Sequence, residues 1–146
     1  MAVLQRSTLF VGRTPAQVLD FCLDGRNFPK IFPERITPLG VIDEHDLRIV
    51  AGREFRFRHW MFGLVPANWT VCIREVGEAH FIDEMLKGPL RAFRHEHRVQ
   101  AAAGGTLYTD RVTYAAIGGV LLERLLVDRY MRRIFDARHR NMQHLL

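Results

Sequence analysis

The chain has 146 residues and a mass of 17.0 kDa, the size of a single domain. Hydrophobic residues at 48% and charged residues at 25% match ordinary globular usage, which excludes a disordered chain, a collagen-like fibre and a disulfide scaffold. The net charge is +5, but the basic residues are spread along the chain except near the C-terminus, so no nucleic-acid partner is expected.

Val3 to Val11 alternates loosely and predicts a first strand. Thr14-Pro15-Ala16-Gln17 then gives a helix start: Thr14 to cap, Pro15 for the first turn and Gln17 to complete a capping box. Asp24-Gly25 ends that helix, and the two prolines of Asn27 to Glu34 predict a short second helix or tight turn. From Ile36 the period changes to two. Phe55, Phe57, His59 and Met61 share one face, and Glu54, Arg56, Arg58 and Trp60 the other. A turn over Gly63 to Pro66 leads to Trp69, Val71 and Ile73. Phe81, Asp83 and Met85 follow, and Gly88-Pro89 reverses the chain into Phe93, His95, His97 and Val99. Gly104-Gly105 reverses it again into Tyr108, Asp110, Val112 and Tyr114, completing an antiparallel meander. After Gly118-Gly119, residues Val120 to Leu146 contain neither proline nor glycine and predict one long helix. Its apolar face is drawn through Leu121, Leu125, Met131, Ile134, Phe135, Met142 and Leu145, interrupted by Asp128 and Arg138. Only that helix is large enough to cover the apolar sheet face, so the expected class is α+β.

The order strand, two short helices, strands, long helix resembles the helix-grip order of the START-like superfamily, also called SRPBCC. Pro66–Trp69 (P-A-N-W), Phe81–Glu84 (F-I-D-E), Gly88–His97 (G-P-L-R-A-F-R-H-E-H), Gly104–Tyr114 and Ile134–His139 carry the likeness to its bacterial ligand-binding or cyclase/dehydrase-like branch. Phe93 departs from it, standing where a tryptophan is expected before the two histidines. The resemblance covers residues 1–146 as one ligand-binding domain. It implies a curved antiparallel sheet of about seven strands around the C-terminal helix, enclosing a cavity for a lipid, quinone, polyketide or other polycyclic compound. It also implies the alternative of a cyclase- or dehydratase-like enzyme.

Centring the two reversals near residue 89 and between Ala103 and Gly104 sets Asp83 opposite His95, Met85 opposite Phe93, His97 opposite Asp110 and Val99 opposite Tyr108. Asp83, His95, His97 and Asp110 then share the apolar face, with His59 on a neighbouring strand. These four are the candidates for acid–base chemistry, because a carboxylate fixes an imidazole's tautomer and raises its basicity. The structural alternative is a set of buried pairs that specify strand register. His-x-His on a strand also raises metal ligation, but the assignment made from the sequence is no metal. Candidate ligand contacts are Phe57, His59, Met61, Trp69, Phe81, Asp83, Met85, Phe93, His95, His97, Tyr108, Asp110, Tyr114, Met131, Phe135 and Arg138. Arg138 falls on the apolar stripe and needs a carboxylate such as Asp110 or Asp83.

No nucleotide, phosphate-loop, zinc-protease or nucleophile-elbow motif occurs, and no cofactor is expected. Cys22 and Cys72 read as small buried hydrophobes. Arg124, Arg129, Arg132, Arg133 and Arg140, with His139 and His144, read as a solvated basic helix face. Contact of that face with a membrane or macromolecule stays open. The N-terminus lacks the order of a secretory signal, which makes cytoplasmic the expected location.

Overall fold

Seven antiparallel strands form one sheet, ordered β1-β7-β6-β5-β4-β3-β2, in a computed structural model that describes residues 1–40 and 43–146. The strands are β1 (Ala2–Val11), β2 (Ile36–Pro38), β3 (Glu54–Met61), β4 (Val65–Val76), β5 (His80–Lys87), β6 (Ala92–Ala102) and β7 (Gly105–Ala115). The part of the two-residue period that falls on residues 41 and 42 lies outside the described residues. Between β1 and β2 stand α1 (Pro15–Leu23), a 3-10 turn (Gly25–Asn27) and α2 (Phe28–Ile31). The start of α1 is the expected capping box: the Gln17 backbone N–H donates to Thr14 Oγ1 at 3.2 Å, and Gln17 Oε1 accepts from the Thr14 N–H at 2.9 Å.

The hairpins set the register. Gly104, at φ 80°, supplies the left-handed residue of the β6–β7 turn, and His97 pairs with Asp110 and Val99 with Tyr108 as the sequence arithmetic predicts. Asp83 pairs with His95, and the β5–β6 ladder runs as far as Glu84 and Arg94. One turn is shorter than expected. Phe62 and Gly63 both have positive φ, so the β3–β4 reversal closes within residues 62–64, and Val65 and Pro66 are already in β4. Two irregularities in the β4–β5 register, at Thr70/Val71 and Ile73/Glu75, bend the middle of the sheet.

The terminal helix covers the sheet but is not one uniform α-helix. Helix α3 (Val120–Leu122) passes through a π-helical turn (Glu123–Val127) into α4 (Asp128–Leu145). The wider turn brings Glu123 inward, where its carboxylate accepts the Ala116 N–H at 3.0 Å. It also lets Asp128 accept a hydrogen bond from the Tyr114 hydroxyl. The expected apolar stripe is therefore correct only between Met131 and Met142: Met131, Ile134, Phe135 and Met142 are buried, whereas Leu121 and Leu125 before them and Leu145 at the end of α4 are exposed. Two apolar clusters flank the middle of the sheet. Phe10, Val18, Leu19, Phe81, Val99, Tyr108 and Met142 gather under α1, and Leu4, Val112, Tyr114, Met131, Ile134 and Phe135 under the start of α4.

Candidate functional site

Between those clusters lies a polar network built from four strands, β1, β5, β6 and β7, and α4. Asp110, almost fully buried on β7, is its centre. Its Oδ1 accepts from His95 Nε2 at 2.7 Å and from the Tyr108 hydroxyl, and its Oδ2 from Arg138 Nε at 3.0 Å and His139 Nε2 at 2.9 Å. Four donors fill the acceptor sites of one carboxylate. His139 Nδ1 is 2.8 Å from Thr8 Oγ1, so its ring spans from β1 to β7. The register places Asp83 opposite His95, but the short bonds run diagonally. His97 Nε2 meets Asp83 Oδ2 at 2.7 Å, whereas His95 Nδ1 stands 3.7 Å from the same oxygen. His97 and Asp110, direct neighbours across the ladder, approach only to 3.3 Å. Stacking holds both rings: Phe81 lies on His97 with centroids 3.8 Å apart, His97 on His95 at 3.6 Å, and Phe135 stands edge-on to His95.

Electrostatics differentiates these groups. Burial opposes charge on Asp110, but Arg138 and the histidine rings outweigh it and hold the carboxyl well below the usual range. Asp83 behaves alike: burial raises it, His95 and His97 lower it further, and it stays ionised. Burial and the adjacent His97 push His95 below its ordinary value, whereas at His97 the two aspartates outweigh burial and raise it.

Asp83, His95, His97 and Arg138 form the polar end of a cavity of about 850 Å³ between the sheet and α4. Phe57, Met61, Trp69, Phe81 and Phe93 line it from the sheet, Met131 and Phe135 from the helix. Cys22, expected to be buried, is half-buried and also reaches this wall, where desolvation pushes its thiol up to about 12. The buried indole N–H of Trp69 has no hydrogen-bond partner among the described residues. At the mouth, Phe62, Ile117, Leu125 and Leu126 line the cavity and are exposed, with Arg129 and Arg133 beside them.

Four of the expected contacts lie elsewhere. Tyr108 and Asp110 sit behind the histidines, where Arg138 of α4 binds both, and Tyr114 is tied to Asp128. Met85 folds over Gly88, where a Cβ would stand 2.3 Å from its sulfur, beside Trp69. His59 lines the cavity but belongs to a separate cluster. Its Nε2 is 2.7 Å from Glu34 Oε1, and Glu34 also accepts from the Tyr130 hydroxyl and, at 2.7 Å, from the Phe62 N–H. Glu34, Tyr130 and Thr8 escaped the sequence reading, which carried no periodic signal for them. His139, read as part of the basic face, is buried; its spacing of four from Phe135 and three from Met142 is the signal that marks it as inward. Arg138, by contrast, meets Asp110 as expected. Trp60 stands on the outer face with the Arg35 guanidinium 5.4 Å from its ring.

No protein-family model and no curated protein sequence matches the chain. Solved structures do. A START superfamily protein from Mycobacterium smegmatis superposes with a TM-score of 0.71 at 10% identity over 97% of this chain and 94% of that one. Ginseng major latex-like protein 151 from Panax ginseng gives 0.69 at 13% identity over 98% and 95%. The di-domain ARO/CYC BexL of the BE-7585A biosynthetic pathway gives 0.73 at 17% identity, over 99% of this chain and 46% of that one. The fold is the START-like helix-grip fold. Among the described residues no helix is long and apolar enough to cross a membrane.

Proposed function

We propose that residues 1–146 act as one binding domain for a small, largely apolar molecule, held between the sheet and α4 with its polar end toward His95 and Asp83. One observation carries this: a cavity of about 850 Å³ whose walls are mostly aromatic and aliphatic and whose few polar groups converge at one end. Such volume and composition are typical of small-molecule sites. The unpartnered Trp69 N–H supports a ligand that carries at least one hydrogen-bond acceptor, since buried donors are normally satisfied. A lipid, a quinone or a polycyclic polyketide meets that description.

A second reading, a cyclase- or dehydratase-like enzyme, draws on one specific feature. His95, which burial holds below its ordinary value, faces the cavity and is backed by Asp110, the arrangement of a general base with its orienting carboxylate. The structural likeness to an ARO/CYC protein accords with it. Thermal melts with a panel of fatty acids, quinones, polycyclic aromatics, sugars and nucleotides test the binding proposal. A ligand at a hundred times its dissociation constant stabilises by about 2.7 kcal/mol, a readily measured shift. Stabilisation by apolar members alone is the expected result. A panel in which none of them raises the melting temperature, or in which only sugars or nucleotides do, contradicts it.

A further inference from the structure

Hydrogen-bond bookkeeping around His95 and His97 leads beyond an apolar pocket. The Tyr108 hydroxyl spends its proton on Asp110 and receives one from Arg138 Nη2 at 3.0 Å. His97 Nδ1 stands 2.9 Å from that hydroxyl oxygen, 3.3 Å from Asp110 Oδ1 and 3.4 Å from Arg138 Nη2, and the two oxygens, its nearer neighbours, are matched by Nδ1 as the donor. In the neutral ring this leaves the lone pair on Nε2, which faces the Asp83 carboxylate at 2.7 Å. His95 repeats the pattern with the opposite nitrogen. Its Nε2–H donates to Asp110, so the Nδ1 lone pair faces the same Asp83 oxygen from 3.7 Å. Two imidazole lone pairs and a carboxylate thus converge, each donor atom within 4.8 Å of the others, and the convergence calls for a positive charge at its centre.

A proton on His97 satisfies only the His97–Asp83 contact. A divalent cation satisfies all three. We propose that Asp83, His95 and His97 form a site for a divalent first-row transition ion at the polar end of the cavity. This goes against the assignment of no metal made from the sequence. Ligands held at about 2.0–2.2 Å from such an ion stand roughly 3–3.5 Å apart. Asp83 and His97 need to open slightly and His95 to close slightly, with no change of strand register. Two histidines and one carboxylate on one side of an ion leave its remaining positions open, and here those positions face the cavity. The outer groups also suit a metal. Asp110 orients His95 through Nε2, and Tyr108 orients His97 through Nδ1, as the second layer around metal-bound imidazoles does. Arg138 binds Asp110 through Nε, and its Nη2 reaches the Tyr108 oxygen and His97 Nδ1, on the side of that ring away from Asp83.

The site stands on side-chain geometry and not on the apolar-ligand proposal, which survives if no metal binds. The test is a Co2+ titration of tag-free protein stripped with a chelator, followed by elemental analysis and by the visible ligand-field bands of the ion. One equivalent of Co2+, displaced by Zn2+, is the expected result. Asp83→Asn and His95→Ala should each weaken binding by more than tenfold, whereas His144→Ala, an exposed histidine on the last turn of α4, should leave it unchanged. Tyr108→Phe, which removes the hydroxyl behind His97 together with its bonds to Asp110 and Arg138, should weaken it by about 10–100-fold. Failure of the wild-type protein to take up stoichiometric Co2+ overturns the proposal, as does uptake that persists in folded Asp83→Asn protein. If the variants do not fold, proton NMR of the wild-type Co2+ protein decides. Paramagnetically shifted ring resonances from both His95 and His97 support the site, and their absence overturns it.

Discussion

Asp110 is the residue on which the interior depends most heavily. Its carboxylate is the common acceptor for His95, Tyr108, Arg138 and His139, all buried. Removing it leaves a guanidinium in the core with no counter-ion, so Asp110→Ala should cost ~3–5 kcal/mol of unfolding free energy in urea titrations. His95→Ala should cost much less, because Asp110 keeps its other three donors and cavity water can reach the gap. Equal losses for the two variants contradict this ranking. Glu34 sets a pH dependence at the cavity mouth. Burial raises its carboxyl, but hydrogen bonds from Tyr130 and His59 outweigh burial and hold it below its ordinary value. A depressed carboxyl contributes stability that is complete above its unfolded value and is lost as the pH falls through the folded one. The melting temperature of Glu34→Gln should therefore fall below that of wild type near neutral pH and converge with it on acidification. A gap that stays constant with pH contradicts this assignment.

The elements owe their places to signals of different strength. Hairpin arithmetic located Asp83 opposite His95 and His97 opposite Asp110, because a glycine at each reversal fixes the turn and a period of two fixes the face. What that arithmetic could not give is which oxygen each ring takes. The diagonal bonds arise from how stacked rings lean along the strands, and no one-dimensional period encodes that. The terminal helix was legible as a helix but not as an α–π–α sequence. The π turn answers to Glu123 reaching Ala116 and Asp128 reaching Tyr114, contacts that lie across the fold. His139 was hidden by its basic neighbours although its spacing points inward. The grip of α4 on the sheet is testable at Met142, fully buried against Phe10, Val18 and Tyr108 and away from the cavity wall. Met142→Ala should lose about 2–5 kcal/mol. A loss below that range, measured in denaturant, means that the last turns of α4 are not part of the cooperative core.

At the scale of the molecule, the sheet is covered unevenly. Helix α4 and α1 close over β1, β7 and the near half of β6, while β3 and β4 turn large aromatic side chains toward open volume. The alternation of Phe57, Trp69 and Phe93 announced an apolar face, but whether such a face packs shut or stays open depends on how far the helix stands from it. That distance is set by α2, by the Glu34 cluster and by the π turn, of which only α2 has a local sequence signature. The central claim is that this open volume receives an apolar ligand. Its most direct measurement is Trp69 fluorescence in a Trp60→Phe variant, which leaves one indole, on the cavity wall. Titration with a polycyclic quinone should quench that emission saturably at one equivalent per chain, and Val71→Phe, which adds a ring to the same wall, should weaken the binding by at least about tenfold, or 1.4 kcal/mol. Saturable quenching that is unaltered by Val71→Phe, or none at all in folded protein, contradicts it.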